Sequence, residues 1–364
     1  MLLKDLQDLS IKGLTEMFDV KAQLFCHRVT KNNTGMAREG LSLRYTIITL
    51  LGLHRFEALG NQSPVNIHNC FQTLLNNAKE IDNIGDLGLL IWLCALVDPE
   101  DIKQIWSGIN INNVLSRYRD ARMGKTTELA WFLTGLSYTA LSSVNNPEGL
   151  KELSFETYQT VKSNYGGKGI FGHQNETTLS GFIKGRIGSF ADQVYPIYAF
   201  SRFSQAYNNN EASRIAQDCA EKICSHQGPF GQWWWHYDSM TGRVTGRYPV
   251  YSVHQDGMAP MALFAVGEIS GNDYRKQIYK GLEWITGQNE LGTSMVDNTR
   301  NVIWRSFHRK RFKRYADELL SFARLSDNKK QYKDLIVLYE SRPYHPGWLL
   351  YAFSDPINTD KGTL

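Results

Sequence analysis

Apolar residues recur at helical spacing along almost the whole chain, and strictly alternating runs are confined to one short region around 232–253. The pattern therefore predicts a protein built almost entirely of helices. Those helices come in two kinds. Amphipathic segments with charged faces, at about 14–29, 64–80, 100–118, 147–163, 211–226 and 272–287, alternate with segments that are apolar on nearly every side, at about 41–56, 86–97, 128–142, 191–204, 256–268 and 345–353. A helix that is apolar all round must be surrounded by protein, so the second set belongs inside the first. Six inner and six outer helices give an all-α (α/α)6 toroid, a double ring of helical hairpins, read as one domain over 1–364.

The links are lopsided. Those from an inner helix to the next outer one are short (143–147, 207–211, 269–271), whereas three in the other direction are long: 164–190, 227–254 and 288–344. In a ring of antiparallel hairpins the long links all fall on the face where the inner helices begin, and long loops on a rigid scaffold usually carry function. Turn residues at Asp238–Gly242 predict a small β-hairpin within the second long link.

Reading the inner segments from their starts gives Arg38 and Arg44 around the first, then Asp86, Glu128, Asp192, Asp256 and His345, with Tyr344 beside the last. Asp192-Gln-Val-Tyr-Pro196 and Asp256-Gly-Met-Ala-Pro260 repeat an Asp-x-x-x-Pro entry, with the proline expected in a first helical turn. Carboxylates at helix starts cap free N–H groups and offset the dipole, worth about 0.3–1 kcal/mol each. Several around one opening would also repel, raising at least one pKa as a general acid needs. The densest segment runs Trp233-Trp234-Trp235-His236-Tyr237-Asp238, followed by Arg247, Tyr251, His254, Gln255 and Asp256. Three adjacent tryptophans in a strand cannot all face one side, so they either plug the ring or offer a flat face to a ligand. His254 beside Asp256 is a candidate base near neutral pH, with Tyr251 as proton donor and Arg247 as anion clamp. In the glycine-rich link 164–190, His173 and Arg186 are the candidate ligand contacts, and no phosphate-binding glycine motif is present.

Composition narrows the field. The chain has 364 residues, of which 42% are hydrophobic and 21% charged. Its net charge of +4 is too mild to call for nucleic acid as a partner. A basic aromatic stretch at 300–314, with Trp304, Arg305, His308 and Arg309, would either be a solvated helix face or a peripheral contact with an anionic surface. The start, Met1-Leu2-Leu3-Lys4-Asp5-Leu6, shows no export signal, so a cytoplasmic location is expected. The longest apolar run, Leu87 to Val97, is about half of what a membrane-spanning helix needs. Cys26, Cys70, Cys94, Cys219 and Cys224 lack metal-ligand spacing and are expected as reduced thiols; no metal or cofactor is called for.

The two-ring pattern resembles the toroid shared by terpenoid cyclases, protein prenyltransferases and six-hairpin glycosidases. Ile223-x-x-x-Gln227-x-x-x-Gly231-x-Trp233 is similar to the second half of the glutamine-tryptophan repeat of the cyclases, and Lys280-Gly281-x-x-Trp284-Ile285 to its first half. The acidic and zinc motifs of the isoprenoid branches are missing. The polar mouth looks more like the glycosidases, lyases and uronyl epimerases of this scaffold, which pair acid–base groups with aromatic platforms. The resemblance implies a carbohydrate-active enzyme on an oligosaccharide or glycoconjugate. Asp256, His254, Asp192, Glu128 and Tyr251 would be its acid–base groups. Trp233, Trp234, Trp235, His236, Arg247, His173, Arg186, Asp86, Tyr344 and His345 would line its binding site. The alternatives are an isoprenoid diphosphate cyclase or transferase and a non-catalytic glycan binder.

Overall fold

A computed structural model describes residues 3–32, 35–108, 111–120, 125–142, 146–174, 185–310 and 332–354. Its helices, in chain order, are α1 (Leu3–Met17), α2 (Leu43–Ala58), α3 (Ile67–Asn76), α4 (Ile84–Val97), α5 (Ile102–Gly108), α6 (Ile111–Asp120), α7 (Thr126–Leu141), α8 (Leu150–Ser163), α9 (Ala191–Tyr207), α10 (Asn210–Ser225), α11 (Ala259–Ser270), α12 (Arg275–Ile285) and α13 (Tyr344–Phe353). Helices α2, α4, α7, α9, α11 and α13 each pack against the next, and α13 packs against α2, so the inner ring closes. The fold is the expected (α/α)6 toroid. Among the described residues, no helix is long and apolar enough to cross a membrane.

Burial follows from composition: α4, Ile-Gly-Asp-Leu-Gly-Leu-Leu-Ile-Trp-Leu-Cys-Ala-Leu-Val, is buried along nearly its whole length. Two glycine contacts set how closely inner helices approach. A Cβ on Gly88 would lie 2.3 Å from Phe132 Cα, and one on Gly52 would lie 2.1 Å from Gly347 O. Both are far inside contact distance, so α4–α7 and α2–α13 depend on the missing side chains.

The ring axis is filled by aromatic side chains. Trp131 and Tyr195 meet at 5.0 Å, Tyr195 and Trp348 at 6.0 Å, and Trp348 and Trp92 at 5.7 Å. Trp92 then stacks on Tyr138 and Tyr198. At the far end the hydroxyls of Tyr138, Tyr198 and Tyr351 bond to one another at 2.5–2.9 Å beneath Arg55.

One expected helix is not there. Residues 14–29 split between the end of α1 and a strand, because β1 (Phe18–Asp19), β2 (Leu24–Asn32) and β3 (Gly35–Leu41) form a sheet over this link. Leu14, Met17 and Phe25 are buried at positions that continue a helical spacing across the break, which conceals it. The sixth outer helix is α1, packed on α13. A fourth long link therefore joins the three predicted ones on the same face. The predicted hairpin is present as β5 (His236–Asp238) and β6 (Arg243–Gly246), extended by β4 (Ile187–Ser189). After β7 (Val250–Tyr251), further short pairings sit in the last link. There β8 (Val296–Asp297) pairs with β9 (Val302–Ile303), and β10 (Ser306–Arg309) joins β7 to β11 (Leu335–Leu338). Strand β12 (Glu340–Ser341) pairs with β2, tying the last link to the first across the ring closure. The stretch 300–310 is thus partly strand rather than helix; its continuation at 311–314 lies outside the described residues.

Candidate active site

The starts of the inner helices are joined side by side into one rim. Ser42 caps α2, and the Arg44 guanidinium in its first turn grips Asp86 in the first turn of α4 through two bonds, one of 3.1 Å and one shorter. Asn83 does two jobs: its Oδ1 caps α4 at Gly85 and Asp86, while its amide donates to Glu128 in α7 at 2.8 Å. Beside Glu128, Thr127 donates to Asp192 in α9 at 2.8 Å. Across the ring, Asp256 accepts from His345 Nε2 at 2.7 Å, linking the approach to α11 with α13. Tyr344 of α13 then packs at 4.7 Å on Tyr45 of α2. The geometry thus brings Asp86, Glu128, Asp192, Asp256, Tyr344 and His345 to one end.

The four carboxylates differ in exposure. Asp192 is fully enclosed and saturated, accepting from Thr127, from the Ser189 backbone N–H (2.8 Å) and hydroxyl (2.9 Å), and from His173 Nδ1 (3.1 Å). The His173 side chain is 42% exposed. Its hydrogen bond to Asp192 raises its pKa above the usual histidine value; burial and Lys125 oppose this and Glu128 adds to it. This is an orienting carboxylate behind an accessible imidazole. Asp256 is also enclosed. Burial, rather than repulsion among carboxylates, pushes its carboxyl up, with His345 opposing. Asp86 and Glu128 keep 22% and 13% of their side-chain surface.

Asp256 lies in a π-turn, His254–Met258, ahead of α11, and Pro260 falls at the start of that helix. Pro196 instead falls inside α9, one turn later than the repeated motif suggested. The π-turn swings His254 inward, a local device often found where a side chain must be re-aimed. Its ring centroid lies 4.7 Å from that of Phe190, 5.8 Å from that of Trp235 and 5.1 Å from that of Tyr251. Burial, with the charges of His345 and Arg305, depresses His254 to about 3. It is a neutral ring packed directly on Tyr251. Of the three tryptophans, Trp233 and Trp234 are buried and only Trp235 keeps exposed surface. Arg247 covers Trp234 at 5.1 Å. His236 is half-buried against Trp235, and Arg186 is turned to Asp238 in the β4–β5 sheet.

Some of the cluster was not foreseen from sequence. Glu340, in β12, gathers Arg28, Arg305 and Arg342. Burial works to raise its carboxyl, but the bonds from Arg342 and Arg305 outweigh it and hold it low. Arg342 also donates to the Tyr45 hydroxyl at 2.6 Å, and Arg305 lies over Tyr251. These arginines set positive charge beside the rim carboxylates. Among the described residues, no three His, Cys, Asp or Glu side chains are placed to hold a metal ion.

No family model matches the chain, and no curated protein matches it. Solved structures do. An unsaturated glucuronyl hydrolase from Streptococcus agalactiae superposes with a TM-score of 0.62 over 99% of this chain and 92% of its own, at 10% identity. An α-1,6-mannanase from a Salegentibacter species gives 0.59 over 97% and 98%, at 9% identity. An unsaturated glucuronyl hydrolase from a Bacillus species gives 0.57 over 96% and 94%, at 13% identity. The chain has the fold of the (α/α)6 toroid glycosidases. At such identities the likeness is one of fold. The half-repeats similar to those of the cyclases serve as packing: Gln227 donates to the Gly231 and Gln277 carbonyls, and the Trp284 indole donates to Glu290.

Proposed function

We propose that this chain is a carbohydrate-active enzyme that moves a proton on an acidic oligosaccharide at the mouth of the toroid. The observation that carries this reading is the His173–Asp192 pair: an accessible imidazole held by a sealed carboxylate, next to Glu128, on the rim where the inner helices begin. His173 exchanges the proton, Asp192 fixes its orientation, and Glu128 is the nearby carboxylate. Trp235 and Tyr251 supply the partly exposed aromatic surface for a sugar ring. Arg44, Arg305 and Arg342 suit a uronate carboxylate or similar anion.

An accessible histidine favours proton abstraction beside a uronate carboxyl, that is, elimination or epimerisation. The fold neighbours named above are glycosidases, which favours hydrolysis as the second reading. An isoprenoid substrate is disfavoured because the axis such a chain would occupy is filled by Trp131, Tyr195, Trp348 and Trp92.

Incubation with uronate-containing and neutral oligosaccharides separates these outcomes. Elimination creates absorbance of a 4,5-unsaturated uronate, hydrolysis creates reducing ends without it, and epimerisation in heavy water places deuterium on the sugar without cleavage. No change in any oligosaccharide, with no difference between wild type and His173→Gln, would contradict the proposal.

A further inference from the structure

Directly below the rim, three inner helices bring polar atoms together that the proposed acid–base chemistry does not use. Trp131 stands on the second turn of α7, Tyr195 on the second turn of α9 and Trp348 on the second turn of α13. Trp131 is 7% exposed, Tyr195 5% and Trp348 not at all. Their placement depends on glycine: a Cβ on Gly85 would come within 2.9 Å of the Trp131 ring, and one on Gly257 within 2.8 Å of Trp348 Cβ. The Arg44 guanidinium of the rim covers Trp131 at 5.5 Å, so this layer lies immediately under the mouth.

The indole N–H groups of Trp131 and Trp348 are both buried and lie against the Tyr195 phenol oxygen, neither in a well-formed hydrogen bond. Burial pushes the Tyr195 phenol well up and Tyr344 adds to this, while the two indoles and Arg44 work against it. Buried donors left without a full hydrogen bond are costly, so such groups usually serve a ligand or an ordered water. The Trp92 indole is unpaired, but it lies one layer deeper against Tyr138, Tyr198 and Tyr351.

We propose that Trp131, Tyr195 and Trp348 form an oxygen-binding floor, where the two indole N–H groups and the Tyr195 hydroxyl hold one hydroxyl or carboxylate oxygen of a bound sugar. This rests on the mouth being a glycan site and makes the floor the part that fixes sugar depth and orientation. The three residues are positioning groups; no bond is made or broken at them. The floor selects ligands that present an accepting oxygen at their deepest point.

The test is binding of D-glucuronate and D-glucose, followed by tryptophan fluorescence, to wild type, Tyr195→Phe and Trp348→Phe, with thermal unfolding of each. The floor predicts at least about tenfold weaker binding in both variants and, for Tyr195→Phe, unchanged unfolding. Equal binding by wild type and a folded Tyr195→Phe overturns the floor and leaves the functional reading standing. Absence of sugar binding in wild type overturns that reading instead. The floor is then decided by a high-resolution crystal structure: an ordered oxygen within hydrogen-bond reach of both indole nitrogens supports it, and two dry indoles overturn it.

Discussion

Acidification from neutral pH should destabilise this protein through His254 before its carboxylates titrate. Its ring is packed among Phe190, Trp235 and Tyr251, and burial depresses it to about 3, while an unfolded chain restores an ordinary value of 6.5. The folded-state value is the lower one, so the folded protein keeps a neutral ring where the unfolded chain binds a proton. Stability from this source is complete above pH 6.5 and is lost as pH falls from there toward 3. At about 1.4 kcal/mol per pH unit, the loss reaches about 2 kcal/mol at pH 5 and approaches about 5 kcal/mol at the acid limit. His173 acts in the opposite sense, since its folded-state value is raised; its contribution is present below pH 6.5 and lost as pH rises through the folded value. Comparing wild type with His254→Phe isolates the buried ring, because phenylalanine keeps the aromatic packing and cannot titrate. Urea unfolding at pH 7, 6 and 5 should show wild type losing about 2 kcal/mol more than the variant between pH 7 and pH 5. Parallel pH dependence, within about 0.5 kcal/mol, would refute the claim that His254 is held neutral.

Three further outcomes follow from the same geometry. Asp192→Asn should bring the His173 imidazole back down toward 6.5, read by NMR titration, and lower turnover about a hundredfold on any oligosaccharide the wild type converts. Gly88→Ala should cost about 3 kcal/mol or more in denaturant unfolding, because its Cβ would fall on the backbone of Phe132, whereas Gly108→Ala, with open space around it, should be neutral or stabilising. At the closed end, Tyr138→Phe should destabilise by about 1–3 kcal/mol in thermal unfolding, since Tyr198, Tyr351 and Arg55 all lose a hydrogen-bond partner at once.

What was legible in the chain was whatever depends on local composition. The six inner helices announce themselves because no face of Leu87–Val97 or Tyr344–Phe353 can tolerate water, and their acidic starts locate the rim. The sheet over residues 18–41 was hidden because Leu14, Met17 and Phe25 satisfy a helical spacing, and strand β2 depends on partners at 18–19, 35–41 and 340–341. The site followed the same division. Asp192 and Asp256 were found at the rim, but the histidine that each carboxylate holds comes from elsewhere in the chain: His173 from 19 residues upstream, in the preceding link, and His345 from 89 residues downstream, at the start of α13. Sequence adjacency pointed instead to His254, which the π-turn buries. The tryptophan run lies just ahead of β5 rather than in it, so it does not alternate as a strand would: Trp233 and Trp234 are both buried and Trp235 is left partly open. Glu340 and its arginines carry no local pattern, since they meet only when the last link crosses to the first.

The central claim, that the rim is a glycan site worked by His173, is tested most directly by a crystal structure of His173→Gln soaked with a uronate trisaccharide. The account predicts density at the mouth, with one sugar over Trp235, a carboxylate near Arg305 or Arg342, and a ring carbon or linking oxygen within hydrogen-bond reach of residue 173. A saccharide bound only on the outer helices, or a mouth that stays empty at saturating ligand, would contradict it.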